Sequence, residues 1–258
     1  MKDNPKSYSG ETWRDMLLLR EGRNRVLVVT CDSAGGIGSK SHDKITANPQ
    51  LVGKMTARVA LMELLSTGTD PVALVATLSV EPKPTANLLI QGVKEELRSA
   101  RFGNIPILCS SEKNVRVSQT GLGITTFGFA SRTRLKVGRV EPNDEIIAVG
   151  EPYVGKEVIR AERKGQIADT LDVLKLRRQS FVHELIPVGS RGTLYEARGV
   201  AKHSGLIFKP SHPQTFNLKK SAGPATALLC LVSERSLAEV KRILGTKPIT
   251  KIGKLRER

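Results

Sequence analysis

Apolar residues at Val52, Met55, Val59, Met62 and Leu65, with Ala57 and Ala60 between them, recur at helical spacing and predict a helix over 52–65. It should stop at Thr67-Gly68-Thr69-Asp70-Pro71, because Gly68 suits a C-terminal cap and Pro71 cannot continue a helix. The unbroken apolar run at 72–80 reads as a strand that ends in the turn Glu81-Pro82-Lys83-Pro84. A second amphipathic helix is predicted over 85–101, with Leu88, Leu89, Val93 and Leu97 on one face and Thr85 as N-cap. A short buried strand at 105–109 runs into a polar loop at 110–114, and 121–130 forms a further strand. Alternating strands and helices favour an α/β or α+β sandwich.

Val140-Glu141-Pro142-Asn143-Asp144 has the composition of a boundary, which gives domains 1–140 and 141–258. The second domain is predicted to hold strands at 145–149, 184–188 and 225–232 and helices at 165–178, 192–203 and 233–244. Ser233 would cap the last helix, and Gly245 would follow it.

Hydrophobic and charged contents of 39% and 26% over 258 residues are those of a globular protein, and 4% aromatic content leaves the core to aliphatic side chains. No apolar run is long enough to span a bilayer and the N-terminus lacks a signal-peptide pattern, so a cytoplasmic protein without a membrane partner is expected. Cys31, Cys109 and Cys230 form no C-x-x-C pair and read as small buried apolar residues, not as zinc ligands or disulfides. A net charge of +16 raises nucleic-acid binding, but the basic residues are dispersed and base-stacking aromatics are few. The clusters at 132–136, 175–178 and 251–258 read as solvated faces or a frayed tail, and a small anionic ligand accounts for the charge equally well.

That ligand has a candidate seat. The strand-like run 25–30 delivers Asp32 to a glycine-rich turn, Gly35-Gly36-Ile37-Gly38, closed by Lys40. Glycines let backbone N–H groups approach phosphate oxygens, a lysine adds a mobile charge, and an aspartate can hold magnesium. Neither the Walker spacing nor the dinucleotide fingerprint is present.

Further blocks extend this motif: the helix Val52-Gly53-Lys54-Met55-Thr56-Ala57-Arg58-Val59-Ala60-Leu61-Met62-Glu63, then Cys109-Ser110-Ser111-Glu112, then Thr120-Gly121-Leu122-Gly123-Ile124-Thr125. In this order they resemble the aminoimidazole ribonucleotide (AIR) synthetase-like superfamily, which includes selenophosphate synthetase, thiamine-monophosphate kinase and a hydrogenase-maturation dehydratase. With His183-Glu184-Leu185-Ile186-Pro187-Val188-Gly189-Ser190 and Lys219-Lys220-Ser221-Ala222-Gly223-Pro224, the wording is most similar to the α-ribazole kinase branch of cobamide salvage. The resemblance implies a two-domain α/β (α+β) architecture. Its N-terminal domain would bind ATP and pair with a second copy into a dimeric β-barrel, and its C-terminal domain is reduced. It also implies ATP and Mg²⁺ as cofactors and a small nucleoside-like acceptor.

On that resemblance Asp32, Glu63 and Glu112 are the expected metal ligands, and Asp32, Lys40 and Asp43 the expected catalytic residues, with Asp43 as base or fourth metal ligand. Gly35, Gly36, Gly38, Lys54, Arg58, Ser110, Ser111, Gly121 and Gly123 are the expected nucleotide contacts. Alternatives stay open: Glu63 as a surface acid, Lys54 and Arg58 as an exposed basic helix face, and Lys219 to Ser221 as a solvated loop. Another kinase or synthetase of the same fold, or a non-catalytic basic nucleic-acid-binding protein, is the rival reading.

Overall fold

A computed structural model describes residues 9–258, and its contacts divide into two compact units that meet between Leu135 and Lys136. The first unit is a six-stranded sheet with two helices on one face. Its strands are β1 (Ser9–Trp13), β2 (Met16–Glu21), β3 (Arg25–Gly35), β6 (Ala73–Leu78), β7 (Ile107–Ser111) and β8 (Gly121–Ser131), in the order β1-β2-β3-β8-β6-β7. A minor parallel pair, β4 (Ile37–Gly38) with β5 (Ile45–Thr46), lies within the glycine-rich loop. The sheet is open, and no closed barrel is present among the described residues.

The period-two alternation of β3 and β8 turns Val26, Val28, Thr30, Leu122, Ile124 and Thr126 inward. Helix α1 (Pro49–Ser66) covers them, and the Thr30 hydroxyl donates to the Ala60 carbonyl at 2.7 Å. Pro49 at the first turn and the Asn48 side chain, which accepts from the Gln50 N–H at 2.9 Å, start α1 three residues before the predicted helix. Helix α2 (Asn87–Ser99) packs on α1 through glycines: a Cβ on Gly53 would lie 2.0 Å from the Leu89 carbonyl oxygen, and one on Gly92 would lie 1.8 Å from that of Gln50. The Thr85 hydroxyl is not the N-cap of α2; it donates to Glu81 instead. Strands β1 and β2 were absent from the sequence reading.

The second unit is a five-stranded antiparallel sheet. It comprises β9 (Glu145–Val149), β10 (Val182–Pro187), β11 (Ile207–Pro210), β12 (Leu228–Val232) and β13 (Ile249–Arg256), in the order β10-β12-β9-β13-β11. Its helices are α3 (Lys156–Arg163), α4 (Thr170–Leu176), α5 (Thr193–His203) and α6 (Leu237–Leu244). The helix expected over 165–178 starts later, because Gly165 takes φ +64° just beyond α3 and Asp169 opens α4 in a capping box with Asp172. Ser236, not Ser233, precedes α6. The basic tail is not frayed: β13 pairs with both β9 and β11, burying Ile252 and Leu255, while Lys251 meets Glu145 at 2.6 Å. Only Cys230 fits the buried-cysteine expectation; Cys31 and Cys109 sit at exposed strand positions. No helix among the described residues is long and apolar enough to cross a membrane.

Candidate active site

Strands β3, β6 and β7 run in one direction, and β8 runs against them. The C-terminal ends of the first three therefore share one edge of the sheet with the start of β8. Register aligns Gly35 with Gly121, and Ser33 with Gly123, Thr77 and Ser110. The N–H groups of Ser79 and Glu112 close this edge by donating to Gly121 and Leu78 at 2.8 and 3.1 Å. Polypeptide separated by about 90 positions in the chain thus meets at strand ends, where sheet folds commonly place ligands.

Asp32 lies on the helix-covered side of β3, half-buried, and its carboxyl is pushed up to about 6. Burial is the main cause, partly offset by the Ser33 N–H and reinforced by the negative charge of Asp15. Asp15 occupies the β1–β2 turn, so a reading without that hairpin had no reason to select it.

The glycine loop is folded by Asp43. Its carboxylate accepts from the Lys40 N–H at 2.8 Å, the Thr120 N–H at 2.7 Å and the Thr120 hydroxyl at 2.7 Å. Burial raises the Asp43 pKa, but these bonds outweigh it and hold the group below the ordinary carboxylate range. Gly38 makes room for the clamp: a Cβ there would sit 2.3 Å from Thr120 Oγ1 and 2.7 Å from Asp43 Oδ2. Asp43, expected as a base, and Gly38, expected at the phosphate, both shape the loop, and a carboxylate stabilised by three donors is a weak proton acceptor.

Lys40 Nζ contacts Glu81 Oε2 at 2.6 Å, and Glu81 also accepts from Thr85. Burial raises the Glu81 pKa, but the Lys40 and Thr85 bonds prevail and keep it ionised below its usual range. Glu81 is the second residue missed; its signal was an acid opening a double-proline turn directly after a predicted strand.

Arg58 is buried, with its Nε and Nη2 on the two oxygens of Glu96 at 3.1 and 3.0 Å, and Lys54 meets Glu95 at 2.9 Å. These cations fasten α1 to α2 and do not face the loop. Glu63 lies beyond Ala60 in the direction away from Asp32, an axial separation of roughly 11 Å from the standard rises of helix and strand. Glu112, half-buried just beyond β7, turns its carboxylate onto the N–H groups of Asn114 and Val115, at 2.7 and 3.1 Å. Asp32, Glu63 and Glu112 therefore do not converge, and no group of three or more His, Cys, Asp or Glu side chains is placed to hold a metal ion among the described residues.

The arrangement of strands and helices matches known structures. Thiamine-monophosphate kinase from Stenotrophomonas maltophilia K279a superposes with a TM-score of 0.65 at 18% identity, covering 99% of this chain and 90% of that one. AaThiL complexed with AMPPCP and TMP gives 0.61 at 13% identity, covering 100% and 87%. Hydrogenase maturation protein HypE in complex with ATP gives 0.62 at 14%, covering 90% and 77%. The chain shares their mixed α+β fold. No protein-family model matches the sequence, nor does any curated protein.

Proposed function

We propose that the protein is an ATP- and Mg²⁺-dependent small-molecule kinase that acts as a homodimer, with the 5′-hydroxyl of α-ribazole as its first-choice acceptor. The observation carrying this reading is the meeting of Asp32, the Lys40 loop and the β6, β7 and β8 termini at one sheet edge. The fold is one in which solved structures hold ATP or AMPPCP.

The residues present suit a magnesium nucleotide. Asp32 is half-buried with its carboxyl raised by burial and by the neighbouring Asp15 charge, an unfavourable arrangement that a cation would relieve. Mg²⁺ needs only one or two carboxylates when phosphate oxygens and water complete its shell, and it supplies neutralisation of phosphate charge. Asp32, with Asp15 beside it, would hold that ion. Lys40 would turn its ammonium from Glu81 to the phosphate tail, and Asp43 would keep the loop backbone in place for it. Gly35, Gly36, Gly121, Gly123, Ser110 and Ser111 line the strand ends where a nucleotide would lie. Phosphoryl transfer asks mainly for this positioning and neutralisation.

The uncovered face of the sheet supports the dimer. Leu17, Leu108 and Phe129 are 37%, 69% and 41% exposed there, beside half-buried Val29, Val75 and Phe127. An apolar sheet face of this kind normally meets a partner. Thiamine monophosphate is the second acceptor to weigh, because the fold is shared with a thiamine-monophosphate kinase.

ADP release is to be measured with ATP, Mg²⁺ and each acceptor in turn. Turnover requiring α-ribazole and lost in Asp32→Asn supports the reading. Turnover with thiamine monophosphate alone reassigns the acceptor, and no nucleotide binding by calorimetry overturns the kinase.

A further inference from the structure

Helix α5 in the second unit turns Ala197, Val200 and Ala201 into the core and leaves a strongly cationic outer face. A groove of about 420 Å³ runs along it, lined by Arg191, Tyr195, Arg198, Lys202, His203 and Lys219. All six are exposed, and the acid of the helix, Glu196, is buried. Lys219 is brought to the helix start by close backbone packing. Leu194 N–H donates to the Leu218 carbonyl at 2.8 Å, and a Cβ on Gly192 would lie 2.6 Å from the Lys220 carbonyl oxygen. The groove also has a planar platform: the Arg191 guanidinium lies over the Tyr195 ring, 4.6 Å from its centroid, and Tyr195 is 48% exposed.

We propose that this groove binds single-stranded nucleic acid, with the cations on successive phosphodiesters and a base stacked on the Arg191–Tyr195 pair. Cations spread along a helix, with a stacking platform between them, are the chemistry of sequence-tolerant strand binding. Spacing separates this ligand from a single nucleotide. Tyr195 and Lys202 are roughly 10 Å apart along the axis, with Arg191 and Lys219 beyond the helix start, farther than one compact polyphosphate reaches. The site lies within the second unit and is independent of the kinase reading, although it makes specific use of the +16 net charge.

The test uses the full chain and a fluorescein-labelled single-stranded RNA of about twelve nucleotides, followed by anisotropy between about 50 and 200 mM salt. Three or four phosphate contacts predict a slope of log K on log salt of about −2 to −3. Arg198→Gln with Lys202→Gln should bring that slope about 1.4 closer to zero. Tyr195→Ala should weaken binding about tenfold and leave the slope unchanged. Lys241→Gln with Arg242→Gln, exposed on α6, removes the same charge elsewhere and should leave affinity within about twofold. Equal losses in the α5 and α6 variants would reduce the effect to bulk charge and overturn the proposal. So would a duplex of the same length binding as tightly, or inorganic triphosphate displacing the RNA at lower concentration than an unlabelled strand.

Discussion

Asp32→Asn should make the ligand-free protein more stable while abolishing its response to magnesium nucleotide. In the folded chain the Asp32 carboxyl titrates at about 6, against an ordinary value of 3.8. Because the folded value is the higher one, the carboxyl favours folding fully below the ordinary value. That contribution is lost as pH rises through the window to about 6, above which the fold carries a disfavoured anion. The difference corresponds to about 3 kcal/mol at the upper limit. Partial exposure and screening of the Asp15 charge bring the expected gain in the amide variant to about 1–2 kcal/mol. For a chain of this size that is a rise in Tm of roughly 2–8 °C at pH near 8, shrinking towards zero by about pH 4. Scanning calorimetry across that range reads it directly. Adding Mg²⁺ and a non-hydrolysable ATP analogue should then raise the Tm of the wild type but not of the variant. If Asp32→Asn is no more stable at pH 8, or if its advantage grows on acidification, the burial argument is wrong.

The α1–α2 junction yields two more expectations. Glu96→Ala removes the carboxylate that both Nε and Nη2 of buried Arg58 contact and should cost about 3–5 kcal/mol in urea unfolding, whereas replacing both partners by methionine should cost far less. Equal losses in the single and double variants would contradict the buried-pair account. Gly92→Ala places a methyl where Gln50 O lies 1.8 Å away and should separate the helices at a cost of about 1–3 kcal/mol or more. An unchanged denaturation midpoint would show that the helices have room to spare.

Elements with a strong local pattern were legible in the sequence. The apolar stripe of α1 with its Gly68 stop, the alternating β8, the Ile-Ile-Ala-Val run of β9 and the fully apolar β12 were each anticipated within a few residues. Elements whose burial depends on distant partners were not. Strand β13, Ile-Thr-Lys-Ile-Gly-Lys-Leu-Arg, carries three basic residues among its eight and reads as a tail until β9 and β11 accept it. The β1–β2 hairpin was missed for the same reason, and Asp15 with it.

At the candidate site, sequence alone determined which segments carry the chemistry, because a glycine-rich turn after a strand, an acid at its mouth and a lysine at its end are local signals. Tertiary structure decided what each side chain is occupied with. Asp43, Arg58, Lys54 and Glu112 have the right composition for metal or phosphate contact, yet each is taken by a nearer partner: Thr120, Glu96, Glu95 and the turn after β7. A charged group settles on whichever opposite charge or donor the fold brings within hydrogen-bonding distance. For Asp43, Arg58 and Lys54 that distance is a property of strand register and helix direction, which residue type and spacing along the chain do not encode.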